Sequence, residues 1–238
     1  MRKRKIILLV AAAVLLALII GCAAYVSDYY RADETALSAL EGSEDVAVRT
    51  DDGCVVFEPE SPVAGFIFYP GGKVEHTAYA PLMLELAKQD ILCVIVKMPF
   101  NLAVLDINSA KDIPDRYPQI SSWYIGGHSL GGSMAASHAA ANADAYNGLV
   151  LLAAYSTAEV TGLEVLSIYG TADGVMNAEK YKSNYSNLPG NTVEVILEGG
   201  NHAGFGSYGS QEGDGEATIA QSDQISQTAQ AIVSLIKE

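Results

Sequence analysis

Cysteine is scarce in this chain, with three in 238 residues. No two of them have the C-x-x-C spacing of a zinc ribbon or a thiol–disulfide centre, so neither is expected. Cys54 and Cys93 fall in strand-like runs, where two buried free thiols are the expectation and a disulfide the alternative. Positive charge is short as well. Of 14 Lys and Arg, four (Arg2, Lys3, Arg4 and Lys5) precede the first apolar run; residues 27–238 hold the other 10, against all 28 Asp and Glu. A surface that acidic repels phosphate, which argues against nucleic acid as a partner. Internal repeats are absent, and no linker is visible after residue 45. Only one apolar run is long enough to span a bilayer.

That run extends from Ile6 to Val26 without a charge, about the 20 residues a membrane helix needs. The basic cluster before it keeps the N-terminus in the cytoplasm and sends the rest of the chain across. Tyr25, Tyr29 and Tyr30 would lie at the outer interface. An uncleaved single-pass anchor is the first reading. A lipoprotein anchored at Cys22, after Ile19-Ile20-Gly21, and a cleaved signal peptide are the alternatives. All three place the domain outside the cytoplasm. The chain then divides into an anchor or signal segment (1–26), a juxtamembrane segment (27–44) and one domain (45–238), long enough for a full core.

Within the domain, Asp33 to Leu40 reads as a short helix. Val46–Thr50 and Cys54–Phe57 flank Asp51-Asp52-Gly53, a hairpin signal. Further strands are expected at Ala64–Tyr69, Ile91–Val96, Trp123–Ile125, Gly148–Ala153, Val165–Tyr169 and Thr192–Leu197. Helices are expected over Ala78–Lys88, near Ala103–Ala110, after Ser129, near Asn177–Asn187 and over Ile219–Lys237. Strands alternating with helices predict an α/β fold with a mostly parallel sheet flanked by helices. Ligands of such sheets bind beyond the carboxyl ends of the strands.

Three residues that follow strands stand out. Gly126-Gly127-His128-Ser129-Leu130-Gly131-Gly132 lies between an apolar strand and an Ala-rich helix. This is the setting of a nucleophile elbow, with Gly127 and Gly131 small because other chains pass close. Gly170-Thr171-Ala172-Asp173-Gly174 follows the strand Val165–Tyr169, and Glu198-Gly199-Gly200-Asn201-His202 follows the strand Thr192–Leu197. A serine hydroxyl needs a base to take its proton, histidine suits that task near neutral pH, and a carboxylate fixes the imidazole tautomer. Asp106 or Glu198 could replace Asp173 as the acid. His76 is the competitor of His202, while His128 adjoins the serine and His138 lies in the following helix.

With Phe68-Tyr69-Pro70-Gly71-Gly72-Lys73, these motifs resemble the α/β-hydrolase superfamily over about residues 45–238. The resemblance is closest to the fifth α/β-hydrolase fold family of small, lid-poor hydrolases. It implies the α/β-hydrolase fold, with Ser129 as nucleophile, Asp173 as acid and His202 as base. It also implies an oxyanion hole made by the amide of Leu130 and one from the turn, Gly72 first, then Lys73 or Gly71. A small-molecule ester is the implied substrate, hydrolysed through an acyl-enzyme, with no cofactor and no metal. Acyl transfer, or a non-catalytic binding protein on the same scaffold, are the alternatives. The Gly204–Gly215 run reads as an ordered substrate-side loop; its acidic residues Glu212, Asp214 and Glu216 lack the spacing of an EF-hand. About ten residues separate the strands at 148–153 and 165, too few for a helical cap. An uncapped site is expected to be shallow, to take short neutral acyl esters, and to be indifferent to a lipid–water interface.

Overall fold

The structure, a computed structural model, describes residues 2–237. One eight-stranded sheet organises it. The strands are β1 (Val46–Asp51), β2 (Cys54–Pro59), β3 (Ala64–Tyr69), β4 (Ile91–Ile95), β5 (Trp123–His128), β6 (Gly148–Leu152), β7 (Glu164–Gly170) and β8 (Val193–Leu197). Their order is β1-β2-β4-β3-β5-β6-β7-β8. From β4 to β8 all neighbours are parallel, while β1 and β2 run antiparallel at one edge. Asp52 and Gly53 close the β1–β2 hairpin with positive φ at both positions, as a two-residue turn of this twist requires.

The helices are α1 (Arg2–Ser27), α2 (Glu34–Ala39), α3 (Ala80–Ala87), α4 (Leu130–Ala141), α5 (Ala178–Asn184) and α6 (Gln221–Lys237). Two apolar layers follow from strand alternation. Phe66 and Phe68 of β3 face α3 and α6, beside Leu82, Met83, Ile225 and Ile232. Ile67 and Tyr69 face the other way, beside Ala135 and Ala136 of α4. Asp33 caps α2 by accepting from Ala36 N at 3.0 Å. The Ala36 side of α2 is buried, and α2 packs on α3.

α1 is exposed along its length and is apolar and long enough to cross a membrane. Two sequence expectations need correction, and a third, the pair of free thiols, holds. No α-helix forms near Ala103–Ala110; short 3-10 turns at Pro99–Asn101 and Ala103–Leu105 replace it. Buried Ala103 and Ala110 pin the segment to the α4 side of the core. The helix near 177–187 is α only to Asn184 and ends in a 3-10 turn. Cys54 and Cys93 are free thiols, both buried, so the disulfide alternative falls.

Candidate active site

Ser129 stands between β5 and α4 with φ 53° and ψ −122°. A side-chain-bearing residue rarely adopts positive φ, so the surroundings must hold it there. Ser129 N–H donates to Leu152 O at 2.9 Å, and Ser133 N–H donates to Ser129 O at 3.1 Å. Close backbone approach explains the flanking glycines. A Cβ on Gly127 would lie 2.5 Å from Tyr69 O, and one on Gly131 would strike Pro70 O and Tyr69 O.

Asp173 and His202 come from the turns after β7 and β8. His202 Nδ1 lies 2.8 Å from Asp173 Oδ2, with both side chains almost fully buried. An ionised carboxylate only accepts, so Nδ1 carries the proton and Nε2 keeps the basic lone pair. Asp173 Oδ1 accepts from Val175 N and Met176 N at 2.9 and 2.8 Å. Burial pushes the Asp173 carboxyl up, but His202 and these amides outweigh it and hold it below the usual carboxylate range. His202 Nε2 is buried with no hydrogen-bond partner among the described residues. Nor does Ser129 Oγ bond to it in this geometry; contacts of this kind commonly close only around substrate.

The turn after β3 supplies the possible oxyanion donors. Gly71 N–H already donates to Tyr79 Oη at 3.0 Å, and Lys73 N–H to Asn101 O at 2.8 Å. Both of these candidate amides, Gly71 and Lys73, are therefore engaged in this geometry. Gly72 N–H has no acceptor among the described residues, and a Cβ there would sit 2.9 Å from the Leu130 side chain. Leu130 begins α4, so its amide is one of the donors that a helix start leaves free.

The remaining histidines have other partners. His128 is buried beside His202, with ring centroids 4.4 Å apart. Tyr79 Oη accepts from Gly71, so its own proton goes to His128 Nδ1 at 2.8 Å. Burial and the neighbouring His202 hold the His128 imidazole well below its ordinary value, hence neutral. His138 pairs with Asn108 and Tyr146. His76 lies by Lys97 and Phe100, away from the Asp173–His202 pair. Asp106 and Glu198 are exposed, and neither bonds to His202.

Two features of the site are not apparent from the motifs. Residues 204–208 enter the core: Phe205 packs on His128 and Tyr208 on Tyr79. Asp214 then turns inward. Its Oδ1 accepts from Gly174 N, His202 N and Gly215 N at 3.1, 3.2 and 2.9 Å, and its Oδ2 from Ala203 N at 2.8 Å. One carboxylate thus ties the loop that bears the acid to the loop that bears the base. An acid placed 12 residues after a histidine gives no sequence signal for that role, because the intervening loop must fold back first.

The model of the alpha/beta hydrolase family matches residues 65–226. The chain belongs to that family. No curated protein matches it in sequence. Among solved structures, TT1662 from Thermus thermophilus is similar at a TM-score of 0.62, with 12% identity over 81% of this chain and 99% of that one. Dienelactone hydrolase from Anabaena variabilis has a TM-score of 0.61, with 14% identity over 82% and 98%. Carboxyl esterase 2 from Tuber melanosporum has 0.58, with 10% identity over 88% and 91%. Likeness at such identities establishes the fold, and the family match makes this α/β-hydrolase an enzyme of the hydrolase class.

Proposed function

We propose that this α/β-hydrolase is a membrane-anchored, extracytoplasmic carboxylesterase working through Ser129, His202 and Asp173. The observation that carries the reading is the buried 2.8 Å pair of His202 and Asp173, with the serine on a left-handed elbow. Ser129 Oγ attacks the ester carbonyl while His202 Nε2 takes its proton. The oxyanion is held by the amides of Leu130 and Gly72, and Asp173 stabilises the imidazolium. His202 then returns the proton to the leaving alcohol. Water, activated by the same nitrogen, cleaves the acyl-Ser129 ester and restores the enzyme. The esterase and dienelactone hydrolase among the structural neighbours are in keeping with ester chemistry.

Anchoring rests on α1, and orientation on the four basic residues before it. The domain reading is an anchor to residue 26, a connection to 44 and the hydrolase domain from 45. Hydrolysis of p-nitrophenyl acetate by the purified full-length chain tests the reading. Wild type turns over, and Ser129→Ala falls about a millionfold toward background. Equal turnover in the two proteins rejects it.

A further inference from the structure

The chain leaves α1 at Ser27 and is caught again almost at once. Tyr30 N–H donates to Lys73 O at 2.8 Å, and Glu75 N–H donates to Tyr30 O at 2.8 Å. Ala32 N–H then donates to Glu75 Oε2 at 3.0 Å, and Asp33 N–H to Ser207 O at 2.9 Å. Tyr30 therefore adds a bridge beside Val74, in the turn that carries Gly72. Three residues of extended chain span roughly 10 Å. Whatever membrane holds α1 lies about that far from the oxyanion turn.

The segment after β4 occupies the same side. Its Pro99–Asn101 turn touches α1, and Asn101 O takes the Lys73 amide. Phe100 and Asn101 both have left-handed backbone, with φ 53° and 56°. That is a costly conformation for a bulky side chain, and here it leaves Phe100 63% exposed. Val104 and Leu105 are 51% and 55% exposed a few residues on. The segment is anchored from beneath by buried Met98 and Ala103, so its outward apolar side chains are held in place. Basic groups are concentrated here too. Arg31 and Lys97 line the hollow between the end of α1 and Phe100, and Lys73 pairs with Asp28 at 2.8 Å. These are three of the 10 basic residues after residue 26, on the part of an acidic domain nearest the anchor.

Resting on the membrane-anchored esterase reading, we propose that the Phe100–Leu105 segment seats in the bilayer that α1 enters, and that the substrate is an acyl ester presented by that leaflet. The short connection fixes which face meets the lipid. The apolar side chains enter the interface, and Arg31 and Lys97 meet headgroup oxygens. The ester carbonyl of a lipid lies in the interfacial zone between headgroup and hydrocarbon. A site about 10 Å from that zone lies within reach of the ester. This replaces the interface-indifferent site expected from the lack of a cap.

The test uses the full-length chain in a Cys22→Ala background, reconstituted in phosphatidylcholine vesicles, with flotation reporting the anchor separately. A bimane label on Leu105→Cys is quenched by phosphatidylcholine brominated high in the acyl chain. The same label on Val63→Cys, exposed at the far end of β3, is not. Equal quenching at both positions, or at neither, overturns the docking. For the substrate class, p-nitrophenyl palmitate carried in the vesicles is compared with water-borne p-nitrophenyl acetate. Phe100→Ser/Leu105→Ser lowers the ratio of palmitate to acetate turnover about tenfold, as loss of two buried apolar side chains implies; an unchanged ratio overturns that class. A chain that docks yet hydrolyses neither ester refutes the esterase reading and the substrate with it, while leaving the docking established.

Discussion

The two sides of the Ser129 mouth are built on opposite principles. On one side, the loops after β7 and β8 are tied together by two carboxylates: Asp173 takes His202 and two amides, and Asp214 takes four more. On the other side, the segment after β4 turns Phe100, Val104 and Leu105 outward, each more than half exposed. Carboxylates held by several hydrogen bonds give preorganised geometry, which is what proton transfer needs. Outward apolar groups on a fixed backbone serve contact with something beyond the chain. One rim is suited to chemistry and the other to placement.

Breaking the first rim gives the larger effects. Asp173→Asn keeps the shape but no longer fixes the His202 tautomer. We expect kcat to fall about ten-thousandfold with the fold intact, measured with p-nitrophenyl acetate beside near-ultraviolet circular dichroism. A loss of less than tenfold would remove Asp173 from the mechanism. Asp214→Ala leaves four backbone donors without their acceptor and frees the two loops to move apart. The expected loss in kcat is about a hundredfold, with KM for the acetate ester little changed. Asp214→Asn, which retains one acceptor oxygen, should recover part of it, and equal damage by both variants would mark Asp214 as structural only.

The smallest effect concerns His128, at the seam between the two rims. Its folded pKa lies below the ordinary 6.5, so below about that pH the unfolded chain binds a proton that the folded chain refuses. Stability from this group is complete above about pH 6.5 and falls as the pH drops toward the depressed value. Replacement His128→Gln should lower Tm overall but flatten its decline between about pH 6.5 and 5, as read by thermal melts. A parallel decline in wild type and variant would contradict the assignment.

How much of this was legible in the sequence follows from the range of the interactions. The elbow around Ser129 is local: strand, glycines and helix lie within about a dozen residues, and their steric demands are written in residue size. The alternation of strands and helices is local too, so the sheet and its parallel character were readable. Asp173 and His202 were readable because each follows its strand directly. Tyr79 was not, since its hold on Gly71 and His128 depends on how α3 approaches the turn after β3. That same hold occupies the Gly71 amide and leaves the Gly72 amide without an acceptor among the described residues, a difference that spacing alone does not reveal. The run at 99–118 was misread because Ala, Val and Leu at near-helical spacing also suit an irregular segment that buries scattered residues, Ala103, Ala110, Ile113 and Tyr117, rather than one helical face. The pinning of Tyr30 beside Val74 was hidden for the same reason: a bridge between residues 44 apart leaves no periodicity behind.

Ser129 as the nucleophile is the central claim, and a fluorophosphonate probe tests it most directly. The full-length wild-type chain is treated with the probe, digested and analysed by mass spectrometry. The account predicts one phosphonyl adduct on the peptide containing Ser129, abolished in Ser129→Ala and strongly slowed in His202→Ala, whose circular dichroism matches wild type. A folded wild-type chain that takes up no probe, or takes it up at another residue while Ser129 stays free, would contradict it.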